Sequence, residues 1–268
     1  YIETYICPIF EYIISSKKKK FLIAGSQGIG KSTLLYILEK NLKIIYNKEI
    51  LSLSLDDYYL TKKQRVSLSK KIHPLLITRG VPGTHDIKKL LKHVRCFERS
   101  IYPINIPIFD KLNDDRLTKV KKIKTKADIL ILEGWCCASP AVPNSFLKKN
   151  INQIEKIFDR DLRWRNYYNH QLQNQYARLF KKFEKVIYLK VPSFSYIQNW
   201  RLKQEKMMKT RNNHIDAMDR KQILEFIQHY EKITKWMMKV LPSKANLTIN
   251  VDKNQKIKKI LFKKITTD

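Results

Sequence analysis

The sequence predicts an α/β fold, a three-layer sandwich in which helices cover both faces of a mainly parallel sheet. Three observations carry this expectation. Short apolar runs rich in β-branched or aromatic residues alternate with longer amphipathic stretches, as in parallel sheets buried on both sides. A glycine-rich turn joins the first of these runs to a helix-forming stretch, and two carboxylates close the second run, at the sheet edge where open α/β folds bind ligands.

The expected strands are Phe21 to Ala24, Leu51 to Leu55, Ile129 to Leu132, Val186 to Val191 and Leu247 to Val251. Apolar spacing near 3.6 predicts helices over Ser32 to Leu42, Ile87 to Phe97, Leu162 to Phe183, Phe194 to Met208 and Asp219 to Val240. Most Pro, Gly and charge clusters fall between Ile72 and Lys126, which reads as an insertion and loop zone within one domain.

Composition bounds the function. With 268 residues at 43% hydrophobic, the chain can bury a sizeable core, which excludes disorder and collagen-like fibres. No apolar run approaches the roughly 18 residues of a membrane span, and the start lacks a secretory pattern; a cytoplasmic protein without a membrane partner is expected. The 54 basic and 24 acidic residues leave a net charge of +30, a field that attracts anions. The lysines are scattered, and the chain carries no helix-turn-helix, RRM or zinc signature, so the sequence argues against nucleic acid as a partner. Cys7, Cys96, Cys136 and Cys137 have no metal-binding spacing.

Gly25-Ser26-Gln27-Gly28-Ile29-Gly30-Lys31-Ser32, followed by Thr33, fits G-x-x-x-x-G-K-[ST] at every required position, between a buried strand and a helix. Such a loop is the phosphate cradle of P-loop NTPases. Its N–H groups point at the phosphates at a helix N-terminus. Lys31 would reach the β- and γ-phosphates of a bound nucleotide, and the Ser32 hydroxyl would serve Mg²⁺; the loop points to an ATPase, a GTPase or a kinase. Asp56-Asp57, after the second strand, could accept the proton of an attacking hydroxyl; a helix cap or turn pair is the alternative.

Ser54-Leu55-Asp56-Asp57-Tyr58-Tyr59-Leu60-Thr61 and Arg79-Gly80-Val81-Pro82-Gly83-Thr84-His85-Asp86 resemble the S-x-D-D-[FY]-Y-L-T and R-G-x-x-G-T-H-D blocks of plant-type D-glycerate 3-kinases and their bacterial and fungal relatives, in the uridine kinase, phosphoribulokinase and pantothenate kinase class. Pro107 to Lys111, Leu132 to Trp135 and Trp200 to Glu205 resemble further blocks in the family's order. The family's glycine-rich stretch after Asp-Lys is here Leu112-Asn113-Asp114-Asp115-Arg116.

The resemblance implies a single P-loop kinase domain over residues 1–268, with an acceptor-site insertion around 72–126 and a helical lid around 194–215. It implies ATP and Mg²⁺ as cofactors and a small anionic hydroxy acid, glycerate, as acceptor; a nucleoside or a pantothenate-like alcohol is the alternative. Asp56 aligns with the catalytic base, with Lys31 and Arg201 as catalytic cations. Glu133 corresponds to the strand-end acid that holds magnesium through a water. Asp57, Tyr58, Arg79, His85, Asp86, Lys111 and Arg116 are the acceptor-site candidates, with Arg79 first as the carboxylate clamp. Asp86 reads equally well as the cap of the following helix, and Met207 as core packing.

Overall fold

The computed structural model describes residues 1–211 and 218–263. Its strands are β1 (Lys20–Gly25), β2 (Ile50–Ser54), β3 (Ile104–Asp110), β4 (Asp115–Ile123), β5 (Ile129–Gly134), β6 (Lys185–Lys190), β7 (Leu247–Val251) and β8 (Ile257–Phe262). Six of them form one sheet in the order β2-β5-β1-β6-β7-β8, parallel except for β8. β3 and β4 pair as a separate antiparallel hairpin.

Alternation along β1 shows how the strands feed two cores. Leu22 and Ala24 face one layer with Leu51, Leu53, Leu130 and Leu132, whereas Phe21 and Ile23 face the other with Ile129, Ile131, Ile187 and Leu189. Successive side chains of a strand point to opposite faces, so a nearly continuous apolar run serves both layers.

The helices are α1 (Cys7–Ser15), α2 (Lys31–Tyr46), α3 (Lys62–Lys71), α4 (Ile87–Glu98), α5 (Asn144–Lys148), α6 (Gln153–Phe158), α7 (Arg163–Gln171), α8 (Ala177–Phe180), α9 (Phe194–Arg211) and α10 (Arg220–Lys244). Their starts follow local chemistry. Thr61 with Gln64 and Asp219 with Gln222 form reciprocal capping boxes for α3 and α10, and Asp86 caps α4 through the Lys89 amide.

Three expectations change. The helix expected over Leu162 to Phe183 is divided into α7, a π-helical turn at Leu172–Tyr176, and α8. The zone 72–126 contains α4, which was expected, and the β3–β4 hairpin, neither strand of which was; β4 is exposed along most of its length. Met207 is an exposed residue, because it lies on the outer side of α9. The end of the expected lid, 212–215, lies outside the described residues.

One buried polar centre holds the α7 region. Arg165, fully buried, donates through Nε to Asp159 (2.7 Å), through Nη1 to Leu147 O and Asn150 Oδ1, and lies 3.7 Å from Glu155. This segment backs the site loop: the Tyr176 hydroxyl, just beyond α7, contacts both the Gly83 amide and His85 Nδ1. Gly83 has φ +99°, and a Cβ there would sit 2.5 Å from the Tyr167 ring, so only glycine fits. Arg165→Met should leave Asp159 and Glu155 buried without their guanidinium and cost about 3–5 kcal/mol in urea unfolding. Lys121→Ala, on the exposed strand β4, should change stability by less than about 0.5 kcal/mol.

Candidate active site

The strand order brings the C-terminal ends of β2, β5 and β1 together, with Ser54 beside Glu133 and Ala24 beside Gly134. The glycine-rich loop leaves β1 there and enters α2. Gly28 has φ +74°, and a Cβ on it would lie 3.1 Å from Trp200 Cβ; α9 therefore packs directly on the loop. Lys31 Nζ donates to Ser26 O (3.0 Å). Ser26 Oγ and Gln27 Nε2 are buried without a protein partner, which suits a cradle for phosphate oxygens.

Glu133 is buried at the end of β5, and its Oε1 accepts from Ser54 Oγ (2.7 Å) and Ser32 Oγ (3.0 Å). These are oxygen donors, the chemistry that Mg²⁺ takes. The residues fit the ion.

Asp56 follows β2 in a single 3₁₀ turn, Leu55–Tyr58. Its Oδ2 accepts from Lys111 Nζ and its Oδ1 from the Tyr59 hydroxyl, both at 2.7 Å. Burial by itself would raise its pKa, but the Lys111 ammonium and these two hydrogen bonds outweigh it and hold the carboxyl well below the usual carboxylate range. Burial, then the Asp56 charge, pushes Asp57 up to about 6.

A cavity of 160 Å³ opens between these groups. The P-loop side offers Gln27, Lys31 and Ser32; the floor offers Asp56 and Glu133; Tyr59, Arg79 and Lys111 form one wall, and Trp135, Arg201, Gln204, Phe226 and Tyr230 the other. Arg79 pairs with Asp114, stands 5.6 Å over the Phe109 ring, and has its own carbonyl held by the Tyr230 hydroxyl (2.6 Å). Behind Asp114 lies Arg65, 1% exposed, bonded to Asp114 Oδ2 (2.9 Å) and to the carbonyls of Leu60 and Ile77. Arg201 pairs with Glu205 and bonds Gln204 (3.2 Å) on α9, 5.8 Å over Phe226 of α10.

Of the acceptor-site candidates, Arg79 and Lys111 line the cavity; Asp57, Tyr58, His85, Asp86 and Arg116 do not. Tyr58 is fully buried with its hydroxyl on His93 (2.8 Å), since the 3₁₀ turn directs it into the core and Tyr59 into the cavity. His85 is buried between Tyr59 and Tyr176, and burial lowers its pKa to about 3, so the imidazole is neutral. Asp86 caps α4 and faces Arg116 (3.4 Å). Arg116 donates to the Tyr59 carbonyl (2.6 Å). Backbone bonds Leu60 N to Thr84 O and Asp86 N to Tyr58 O join the two segments, so these residues hold the wall that presents Asp56 and Tyr59.

The Asp114 bridge, the bond from Tyr59 to Asp56, and Phe226 and Tyr230 of α10 were not expected from the sequence. Ser54 sat in a quoted block without a role. Its position two residues before Asp56 on an alternating strand was the available signal; for α10, more than 140 residues from Arg79, no local signal existed.

No family model matches the chain. It is 30% identical over 242 residues to an uncharacterized kinase of Schizosaccharomyces pombe, covering 84% of this chain and 83% of that one. The chloroplastic D-glycerate 3-kinase of Arabidopsis thaliana is 25% identical over 218 residues, 77% of this chain and 45% of the plant one. A D-glycerate 3-kinase structure from Cryptococcus neoformans var. grubii shares the fold, with a TM-score of 0.78, 24% identity, and 96% and 98% of the two chains covered. With 30% identity to the fission-yeast kinase spread over most of both chains, and a glycine-rich loop, strand-end acid and carboxylate-lined cavity at one sheet edge, the chain belongs to a family of P-loop kinases and has a D-glycerate 3-kinase among its relatives.

Proposed function

We propose that the protein transfers the γ-phosphoryl group of ATP to a hydroxyl of glycerate. The observation that carries this reading is Asp56, a carboxylate on the cavity floor with Lys111 at 2.7 Å and Arg79 on the same wall. A small hydroxy acid needs a base for its hydroxyl and cations for its carboxylate, and both lie beside the P-loop lysine. The sequence likeness to the plant D-glycerate 3-kinase supports the same acceptor.

In this reading the whole chain works as one kinase domain, residues 72–126 supplying the acceptor wall and 194–215 the lid. Residues Gly25 to Thr33 bind the phosphates, Lys31 neutralises the β- and γ-phosphates, and Arg201 brings a cation over the transferring group. Ser32 and Glu133 would hold magnesium, which when bound supplies further positive charge to the phosphate oxygens. The acceptor oxygen forms a bond to the γ-phosphorus, the bond to the β-bridging oxygen breaks, ADP leaves, and the hydroxyl proton passes to Asp56. Arg79 and Lys111 orient the acceptor, while Asp57, Tyr58, His85, Asp86 and Arg116 support it from behind the wall.

A coupled ADP-release assay with Mg-ATP against D-glycerate, uridine and pantothenate tests the reading. Turnover should depend on D-glycerate and fall about 10²–10⁴-fold in Asp56→Asn; turnover with pantothenate or uridine alone would keep the kinase and discard glycerate. Arg79→Gln should lower kcat/KM for glycerate by about 10- to 100-fold, the worth of a charge-assisted hydrogen bond, and unchanged kinetics would remove Arg79 from the acceptor site.

A further inference from the structure

The cations around the cavity differ in how they are held. Arg79 is fixed by Asp114, and Asp114 by the buried Arg65. Arg201 is fixed by Glu205 and Gln204. Lys31 points back along the P-loop to Ser26 O. Lys111 is the exception: its side chain is 60% exposed, it lies just beyond β3 where the chain turns toward β4, and Asp56 is its sole ion-pair partner among the described residues.

That pairing occupies the group the reaction needs. Each Asp56 oxygen already accepts a hydrogen bond, Oδ2 from the Lys111 ammonium and Oδ1 from the Tyr59 hydroxyl, and a carboxylate so stabilised is a weaker base for a hydroxyl proton. An incoming anionic acceptor offers Lys111 a second carboxylate. Arg79 is held in place by Asp114 and meets the acceptor without moving, so the Lys111 ammonium is the cation that can shift toward the new charge. A four-carbon stem lets it move, whereas the guanidinium forks are locked by their partners.

We propose that Lys111 is an acceptor-sensing gate on Asp56: without acceptor it ties up the carboxylate, and an anionic acceptor draws the ammonium away and frees the base. The inference rests on the reading of Asp56 as the base. Its consequence concerns water. Hydrolysis of ATP forms a bond from the water oxygen to the γ-phosphorus, breaks the bond to the bridging oxygen, sends one water proton to Asp56, and releases ADP and phosphate. A base silenced until the acceptor's charge arrives suppresses this loss of ATP, in addition to any exclusion of water by closure.

The test follows phosphate release from Mg-ATP with no phosphorylatable acid present, so it does not depend on which alcohol the enzyme accepts. Lys111→Met should raise this hydrolysis at least about tenfold, a fraction of the usual worth of a general base, while lowering glycerate-dependent kcat/KM. In the wild type, propionate, a three-carbon carboxylate without hydroxyls, should stimulate hydrolysis several-fold and glycerol should not; in Lys111→Met propionate should add nothing. Nucleotide binding monitored by fluorescence shows that each variant keeps its P-loop.

Basal hydrolysis in Lys111→Met at or below the wild-type rate overturns the gate. Raised hydrolysis in that variant with a wild type indifferent to propionate overturns the trigger. Glycerate turnover that survives Asp56→Asn sinks the base assignment itself, whereas loss of turnover in Asp56→Asn together with an inert Lys111→Met sinks the gate alone.

Discussion

A carboxyl group at the end of a buried strand must be hydrogen-bonded, and meeting that requirement at Glu133 fixes the rest of the site. A polar group left unpaired in such surroundings costs about 1–3 kcal/mol or more. Glu133 receives one hydroxyl from the end of β2 and one from the start of α2, so the strand pair and the P-loop helix are locked to one another. Slipping β2 by one residue would turn Ser54 to the opposite face and carry Asp56 with it. The spacing between the phosphate cradle and the carboxylate is therefore set by sheet register, which is stiffer than a loop.

The cavity wall that carries Tyr59 and Arg79 is built from compensated charges. Arg65, Asp114 and Arg79 form a chain from the core to the cavity, and Arg116 with Asp86 forms a second one behind Tyr59. A guanidinium buried without a partner would be expensive. Each buried fork here meets carboxylates or carbonyls, so Arg79 reaches the cavity with its orientation already decided. The guanidiniums are rigid planar forks, whereas Lys111 carries its charge on a flexible stem, and the proposed gate uses that difference between the two side chains' geometries.

The parts of this architecture that the sequence announced are those with short-range periodicity. β1, β2, β5, β6 and β7 are dense apolar runs, and the P-loop is a contiguous motif whose strand and helix flank it. Asp56, Lys31 and Glu133 each follow such an element directly, Arg201 was named through the family resemblance, and all four line the cavity. β4 was not, since Asp115 to Ile123 packs outside the main core and has no apolar face to reveal it. Tyr58 and Tyr59 are neighbours of the same type, so only the turn geometry decides which enters the cavity. The Asp114 bridge lies in the stretch where the family's glycines are absent, and its partners at 65 and 79 are distant in sequence.

The +30 charge has a structural distribution that bears on its meaning. Near the sheet's opposite edge, Lys18 pairs with Glu184 and Lys20 with Glu98, contacts of a kind worth little each. Along β4, Lys119, Lys121 and Lys122 are exposed on a strand of a two-stranded sheet, and lysines on such strands blunt edge-to-edge pairing with other chains. Lys31, Arg79, Lys111 and Arg201 share the cavity with Asp56 and Glu133, and under the proposed function the electrostatics of phosphoryl transfer rest on these four cations; the remaining surplus is a diffuse field that attracts anions.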